Sequence, residues 1–188
     1  VKRDGPLSEQ NALAYIRQVC SALAYVHSRK RLHLDIKPGN IMIDGRGRVV
    51  LIDFGASKQY DEVNGENTST LLGLTPGYAP AEQYNRGGVS QFTAAADIYS
   101  LAATLYKLLS GITPVDAPTR ASGENLEPLP STVSTSVRQA VLSAMALDKA
   151  NRPQSVEDFL KLLDASVKTI SDEETKVSYC IDSEEKTE

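Results

Sequence analysis

The 188-residue sequence is short of several features that would place it at once. No stretch approaches the roughly 18 consecutive apolar residues that a membrane helix needs, and no signal peptide is visible. This argues against a membrane protein. Two cysteines, Cys20 and Cys180, form neither a disulfide framework nor a metal-ligand spacing. A reducing, cytoplasmic setting fits that usage. Basic excess is also missing. The net charge is -4 and the pI about 5.3, which argues against nucleic acid as a partner. No internal repeat occurs, and no alternating β-α rhythm that would build a parallel sheet. The twelve glycines include no Gly-x-Gly-x-x-Gly. The chain opens Val1-Lys2-Arg3 without an initiator Met, as a piece of a longer protein would.

What is present describes one domain with a sizeable core. The apolar fraction is 41% and the charged fraction 23%, ordinary values for a globular chain. The charge is uneven. Residues 170–188 hold seven acids and two bases, while the remainder, with seventeen acids and eighteen bases, is near neutral. The expected division is a folded unit over 1–165 and an acidic tail or linker over 166–188.

Hydrophobic spacing predicts a mainly helical fold with one small β-hairpin. After Ser8, a candidate N-cap, Leu13, Ile16, Cys20, Leu23 and His27 recur at steps of three and four. Cys20 on that apolar face is expected to be a buried thiol. Asn40 to Asp44 and Arg48 to Ile52 are two β-branched runs about a glycine-containing turn, a hairpin signal. Residues 56–78 read as a long loop of the kind that is functional when found in a compact domain. "TAAADIYSLAATLYKLLSG", from Thr93, is apolar nearly all round and stops at Gly111, which predicts a buried helix. A proline-rich connection follows from Thr113 to Pro130. Ser136 is expected to cap a helix through Leu147, and Ser155 another with Phe159, Leu160, Leu162 and Leu163 on its apolar side.

The hairpin carries the chemistry. With its turn at 44–47, Asn40 at the foot of one strand and Asp53 just past the other emerge at the same open end. Both offer hard oxygen ligands, and a few such ligands suit magnesium when phosphates and water complete its shell. Asp35 and Lys37 lie on the loop feeding that end. Singly, each residue has a plain structural explanation: Asp-x-Gly turns are common, Asn40 could be a turn residue, and His33 a satisfied core histidine. The combination is far more specific. His-x-Asp is followed five residues after the Asp by Asn, and Asp-Phe-Gly comes one hairpin later.

These residues resemble those of eukaryotic-type (Hanks-type) serine/threonine protein kinases, and of bacterial members in particular. His33-Leu34-Asp35-Ile36-Lys37-Pro38-Gly39-Asn40 is similar to the family's catalytic loop, and Asp53-Phe54-Gly55 to its magnesium loop. Thr75-Pro76-Gly77-Tyr78-Ala79-Pro80-Ala81-Glu82 resembles the end of the activation segment. Asp97-Ile98-Tyr99-Ser100 resembles the start of the buried central helix. Asn151-Arg152-Pro153 resembles the late arginine motif. The matches run in family order from about Leu7 to Leu163. The resemblance implies ATP and Mg2+ as cofactors and a protein serine or threonine hydroxyl as acceptor. It implies Asp35 as the group that orients the hydroxyl and takes its proton, Lys37 against the γ-phosphate, and Asn40 and Asp53 on magnesium. His33 would pack the loop, Asp97 would accept its backbone N–H groups, and Arg152 would pair with Glu82. Lys37 and Thr75 both point to the serine/threonine class.

Two departures shape the expectation. Position 34 is Leu where the family commonly has an Arg that binds a phosphate on the activation segment. Phosphorylation at Ser57, Tyr60, Thr68, Ser69 or Thr70 is therefore expected to change activity little. The glycine-rich loop, the strand lysine and its helix glutamate are also lacking. The chain thus resembles a kinase C-terminal lobe without its N-terminal lobe. Such a fragment is expected to be inactive alone and to expose an apolar surface prone to self-association. Two other classes stay open: a pseudokinase or docking module, and a small-molecule phosphotransferase of the aminoglycoside or choline type.

Overall fold

A computed structural model describes residues 5–59, 74–84 and 92–165. The first element, helix α1 (Glu9–Ser28), starts at Ser8, whose hydroxyl accepts the Asn11 N–H. An oxygen there satisfies one of the donors that every helix start leaves unpaired. The buried face runs through Ala12, Ile16, Val19, Cys20 and Leu23, so Leu13 sits on its margin rather than its centre. The Cys20 thiol is fully buried, and loss of hydration pushes its pKa up to about 12.

The chain then forms β1 (Arg31–Leu32), a 3-10 turn over Pro38–Asn40, and the hairpin of β2 (Ile41–Ile43) and β3 (Val49–Leu51). The hairpin is antiparallel with Ile41 opposite Leu51 and Ile43 opposite Val49. Asp44 sets the turn, its Oδ1 accepting the N–H groups of Arg46 at 2.8 Å and Arg48 at 2.9 Å. Gln18 of α1 seats the hairpin, accepting the Val49 N–H at 3.0 Å. The period-2 alternation puts Leu51 in the core and exposes Met42 and Val50 on the opposite face, while Ile43, at the turn end of the inner face, is also exposed.

A second two-stranded sheet adds to the expected single hairpin. Strand β4 (Lys58–Gln59) pairs antiparallel with β1, Leu32 opposite Lys58. Strands of two residues carry no periodicity, so only the tertiary pairing reveals them. Most of the expected long loop at 56–78 lies outside the described residues, Tyr60, Thr68, Ser69 and Thr70 included. The same is true of Cys180 and of the expected acidic tail.

Helix α2 (Ala94–Ser110) is buried on nearly every side and ends at Gly111, which takes φ 74° and donates its N–H to the Lys107 carbonyl. Only glycine enters that left-handed region freely. It packs against α1 and against α4 (Thr135–Ala144). Two sequence expectations need correction here. The proline-rich connection holds a short helix, α3 (Ala117–Ala121), capped by Asp116. Its Pro118 lies in the first turn, where a missing N–H costs nothing. And α4 is capped by Ser134, not Ser136, and ends at Ala144, not Leu147. The Glu9 carboxylate explains the choice of cap: it accepts the Ser134 N–H at 2.6 Å and its hydroxyl at 3.0 Å.

The last helix, α5, occupies 156–165 behind the cap Ser155, which accepts the Asp158 N–H. Val156, Phe159 and Leu163 face the core; Leu160 is half-buried and Leu162 exposed. One core joins all the helices through Ile16, Ile98, Ala117, Val137, Met145 and Phe159. A small second cluster, Leu32, Leu34, Phe92 and Ala96, lies behind the loop that follows β1. Among the described residues no helix is long and apolar enough to cross a membrane.

Candidate active site

The loop 33–37 is shaped from below by one buried carboxylate. Asp97, in the first turn of α2, has no exposed surface. Its Oδ1 accepts the Leu34 N–H at 2.8 Å and its Oδ2 accepts the His33 N–H at 2.9 Å. The His27 Nε2, from the end of α1, reaches the same Oδ2 at 2.8 Å. Held this way, Leu34 adopts φ 64°, a left-handed conformation that costs a β-carbon-bearing residue on the order of 1–3 kcal/mol. The reversal turns the next side chain, Asp35, away from the apolar cluster that takes Leu34.

His33 links the loop to the hairpin. Its Nδ1 accepts the Asp35 N–H at 3.3 Å, so Nε2 carries the proton and donates to the Ile52 carbonyl at 3.1 Å. Its ring packs on Phe54 with centroids 4.7 Å apart. The packing role expected of His33 agrees with this geometry.

Asp35 is the centre of a dense polar cluster. Lys37 Nζ donates to Asp35 Oδ2 at 2.7 Å and to Thr75 Oγ1 at 2.9 Å. The Thr75 hydroxyl donates to Asp35 Oδ1 at 2.7 Å. Asn40 Nδ2 donates to the Asp35 carbonyl at 2.8 Å and to its Oδ2 at 2.9 Å. Three of the four expected site residues, Asp35, Lys37 and Asn40, are thus in direct contact. The fourth, Asp53, arrives through the hairpin: the Ile52 N–H donates to the Asn40 carbonyl at 2.9 Å, extending the ladder by one step. Asp53 itself is exposed, with φ 63°, and its Oδ1 accepts the Gly55 N–H at 3.2 Å.

The segment over the site is fastened at two points. Gly77, at φ 84°, lies so close to the 113–114 backbone that a Cβ would come within 2.7 Å of the Pro114 carbonyl oxygen. Glu82 and the buried Arg152 form a two-pronged pair, 2.8 Å and 3.0 Å. The guanidinium also donates to the carbonyls of Ala146 and Leu147 and lies 5.0 Å from the Tyr99 ring centre. A planar fork suits this task as an ammonium would not.

Residues 1–171 match the model of the protein kinase domain. The chain belongs to the protein kinase domain family. This kinase domain is mainly helical with little sheet. It is 31% identical over 181 residues to serine/threonine-protein kinase PrkC of Bacillus subtilis, covering 92% of the chain and 27% of that protein. It is 35% identical over 158 residues to a putative serine/threonine-protein kinase B of Trypanosoma brucei brucei, covering 80% and 36%. With PknB of Mycobacterium leprae it shares 31% over 168 residues, covering 84% and 26%. The chain therefore spans about a quarter to a third of the length of these relatives.

The donor set fits a magnesium ion bound with nucleotide. Both donor bonds of Asn40 Nδ2 turn inward, so Oδ1 is the amide atom with no partner among the described residues. Asp53 Oδ2 is likewise without one. Among those residues, no group of three or more His, Cys, Asp or Glu could hold a metal by itself. Few protein ligands is the arrangement expected where phosphate oxygens supply the rest of the shell.

Two contributors escaped the sequence reading. His27 was visible only as a member of an apolar helical stripe, and Gln83, which donates to the Leu34 carbonyl at 2.9 Å, carried no signal.

Proposed function

We propose that this chain is the substrate-side, C-terminal lobe of a serine/threonine protein kinase that, in the longer protein, transfers the ATP γ-phosphate to a protein hydroxyl. The observation that carries the reading is the Asp35 cluster. A carboxylate on a preset loop is flanked by an ammonium, an amide and a hydroxyl, all aimed at one point. Asp35 accepts the proton of the incoming hydroxyl and orients its oxygen. Lys37 shares its charge between Asp35 and the transferring group. Asn40 and Asp53 would hold magnesium, which neutralises charge on the nucleotide phosphates when bound. Thr75 keeps Asp35 Oδ1 in register. The exposed apolar side chains of the hairpin, Met42 and Val50, together with Phe54, are the surface on which an N-terminal lobe would close. A cytoplasmic location belongs to the same proposal.

The experiment is transfer of labelled γ-phosphate from Mg-ATP to casein and to small alcohols by the full-length protein, with D35N as the control. Labelling of casein that D35N abolishes is the expected result. Labelling of small alcohols alone would overturn the assignment of substrate. The 188-residue chain by itself is expected to bind Mg-ATP too weakly to measure by calorimetry at micromolar concentrations; tight binding would contradict its reading as one lobe.

A further inference from the structure

Leu34 contributes an apolar side chain to the cluster of Leu32, Phe92 and Ala96, so it offers no side-chain bond to the segment above the loop. Its backbone does so instead. The N–H on one side goes to Asp97, and the carbonyl on the other accepts from Gln83 Nε2 at 2.9 Å. That carbonyl belongs to the peptide joining Leu34 to Asp35.

The residue making the second contact is itself anchored. Gln83 lies in the 3-10 turn Ala81–Tyr84, its N–H donates to the Pro80 carbonyl, and its neighbour Glu82 is locked by Arg152. The other end of the Gln83 amide, Oε1, is buried without a partner among the described residues. An apolar side chain would avoid that penalty, so packing does not explain a glutamine here. The Nε2 bond does.

We propose that Gln83 is a positioning residue for the Asp35 carboxylate. Its amide holds the Leu34–Asp35 peptide and couples the 75–84 segment to the catalytic loop. The inference rests on the reading of Asp35 as the group that takes the hydroxyl proton. Two carriers, Asp97 from α2 and Gln83 from the segment, grip the two peptides flanking the left-handed residue. Losing either lets the strained Leu34 relax and Asp35 drift.

The test uses Q83E and Q83L in the full-length protein and in the 188-residue chain. Q83E keeps shape but replaces the donor with an acceptor facing the carbonyl. Near neutral pH its kcat is expected to fall about three- to tenfold, with KM for ATP and protein substrate unchanged. Relative to wild type at each pH, the loss narrows toward acid pH, because a protonated carboxyl can donate as the amide did. A role confined to stability would leave kcat per folded molecule unchanged at every pH. Q83L loses rate at every pH. A Q83E loss that is independent of pH, or one confined to KM, overturns the proposal. A second readout needs no activity. In Q83L the amides of residues 33–36 exchange with deuterium faster than in wild type, while α2 is unchanged. Equal exchange overturns the proposal. An inactive wild type with this exchange pattern sinks the proposed function alone.

Discussion

Replacing Asp97 with Asn tests the foundation of the site. The substitution keeps volume and shape, so it opens no cavity, and any loss comes from bonding. In the wild type one carboxylate oxygen serves Leu34 N–H, and the other serves His33 N–H and His27 Nε2. An amide has one acceptor oxygen, so in either orientation its NH2 group faces at least one backbone N–H. That removes a charge-assisted bond, about 1.5–3 kcal/mol, and strands a buried donor, about 1–3 kcal/mol. With some relief as Leu34 leaves its left-handed conformation, the net cost is about 3–5 kcal/mol. For a domain of this size each kcal/mol shifts Tm by about 2–4 °C. Calorimetry should therefore show D97N melting roughly 6–20 °C below wild type. Deuterium exchange at residues 33–35 should rise in proportion. A Tm within about 2 °C of wild type would refute the claim that Asp97 carries the loop.

Two further outcomes follow from buried groups elsewhere. R152M removes the Arg152 charge from the Glu82 carboxylate, which is only 13% exposed. A loss of about 3–5 kcal/mol in urea unfolding is expected. A double replacement, R152M with E82L, should recover much of it, and no recovery would mean that the lost carbonyl bonds dominate. Alkaline pH should destabilise the fold through Cys20 first. Burial raises this thiol from 9.0 to about 12, so in the unfolded chain it ionises from pH 9 while the folded thiol stays neutral. Stability contributed by the neutral thiol is complete below pH 9 and is lost as pH rises from 9 toward 12. The slope is at most about 1.4 kcal/mol per pH unit. Tyr84, raised from 10.0 to about 12 by burial, adds to the fall in the same direction at higher pH. Denaturation midpoints of C20A against wild type between pH 8 and 11 measure this, and identical slopes would contradict it.

Short-range features of this protein are legible in its linear order because their causes are local. A serine before a periodic run satisfies an exposed helix start, a β-branched pair of runs about Asp44 and Gly47 closes on itself, and Gly111 stops a helix. The same locality made Asp35, Lys37 and Asn40 readable, since five residues of loop and one turn bring them together. Asp53 is one hairpin away, and the hairpin's register delivers it to the same end. Where sequence reasoning missed, the cause lay far along the chain. Glu9 selects Ser134 as a cap across 125 residues. The strands β1 and β4 exist only through each other.

The sequence alone thus determined the chemical inventory and the family: which oxygens and which ammonium are present, and in what order. The family resemblance already put Asp97 under the loop that carries them; only the tertiary structure brought His27, Gln83 and Thr75 to it. His27, Asp97 and the segment that carries both Thr75 and Gln83 are three separate stretches of chain, and no spacing announces the contacts that His27 and Gln83 make. A left-handed Leu34 beside the Asp35 carboxylate is held because the buried Asp97 and the half-buried Gln83 pair both of its peptides, and contacts of that kind are a property of the folded core, not of any segment within it.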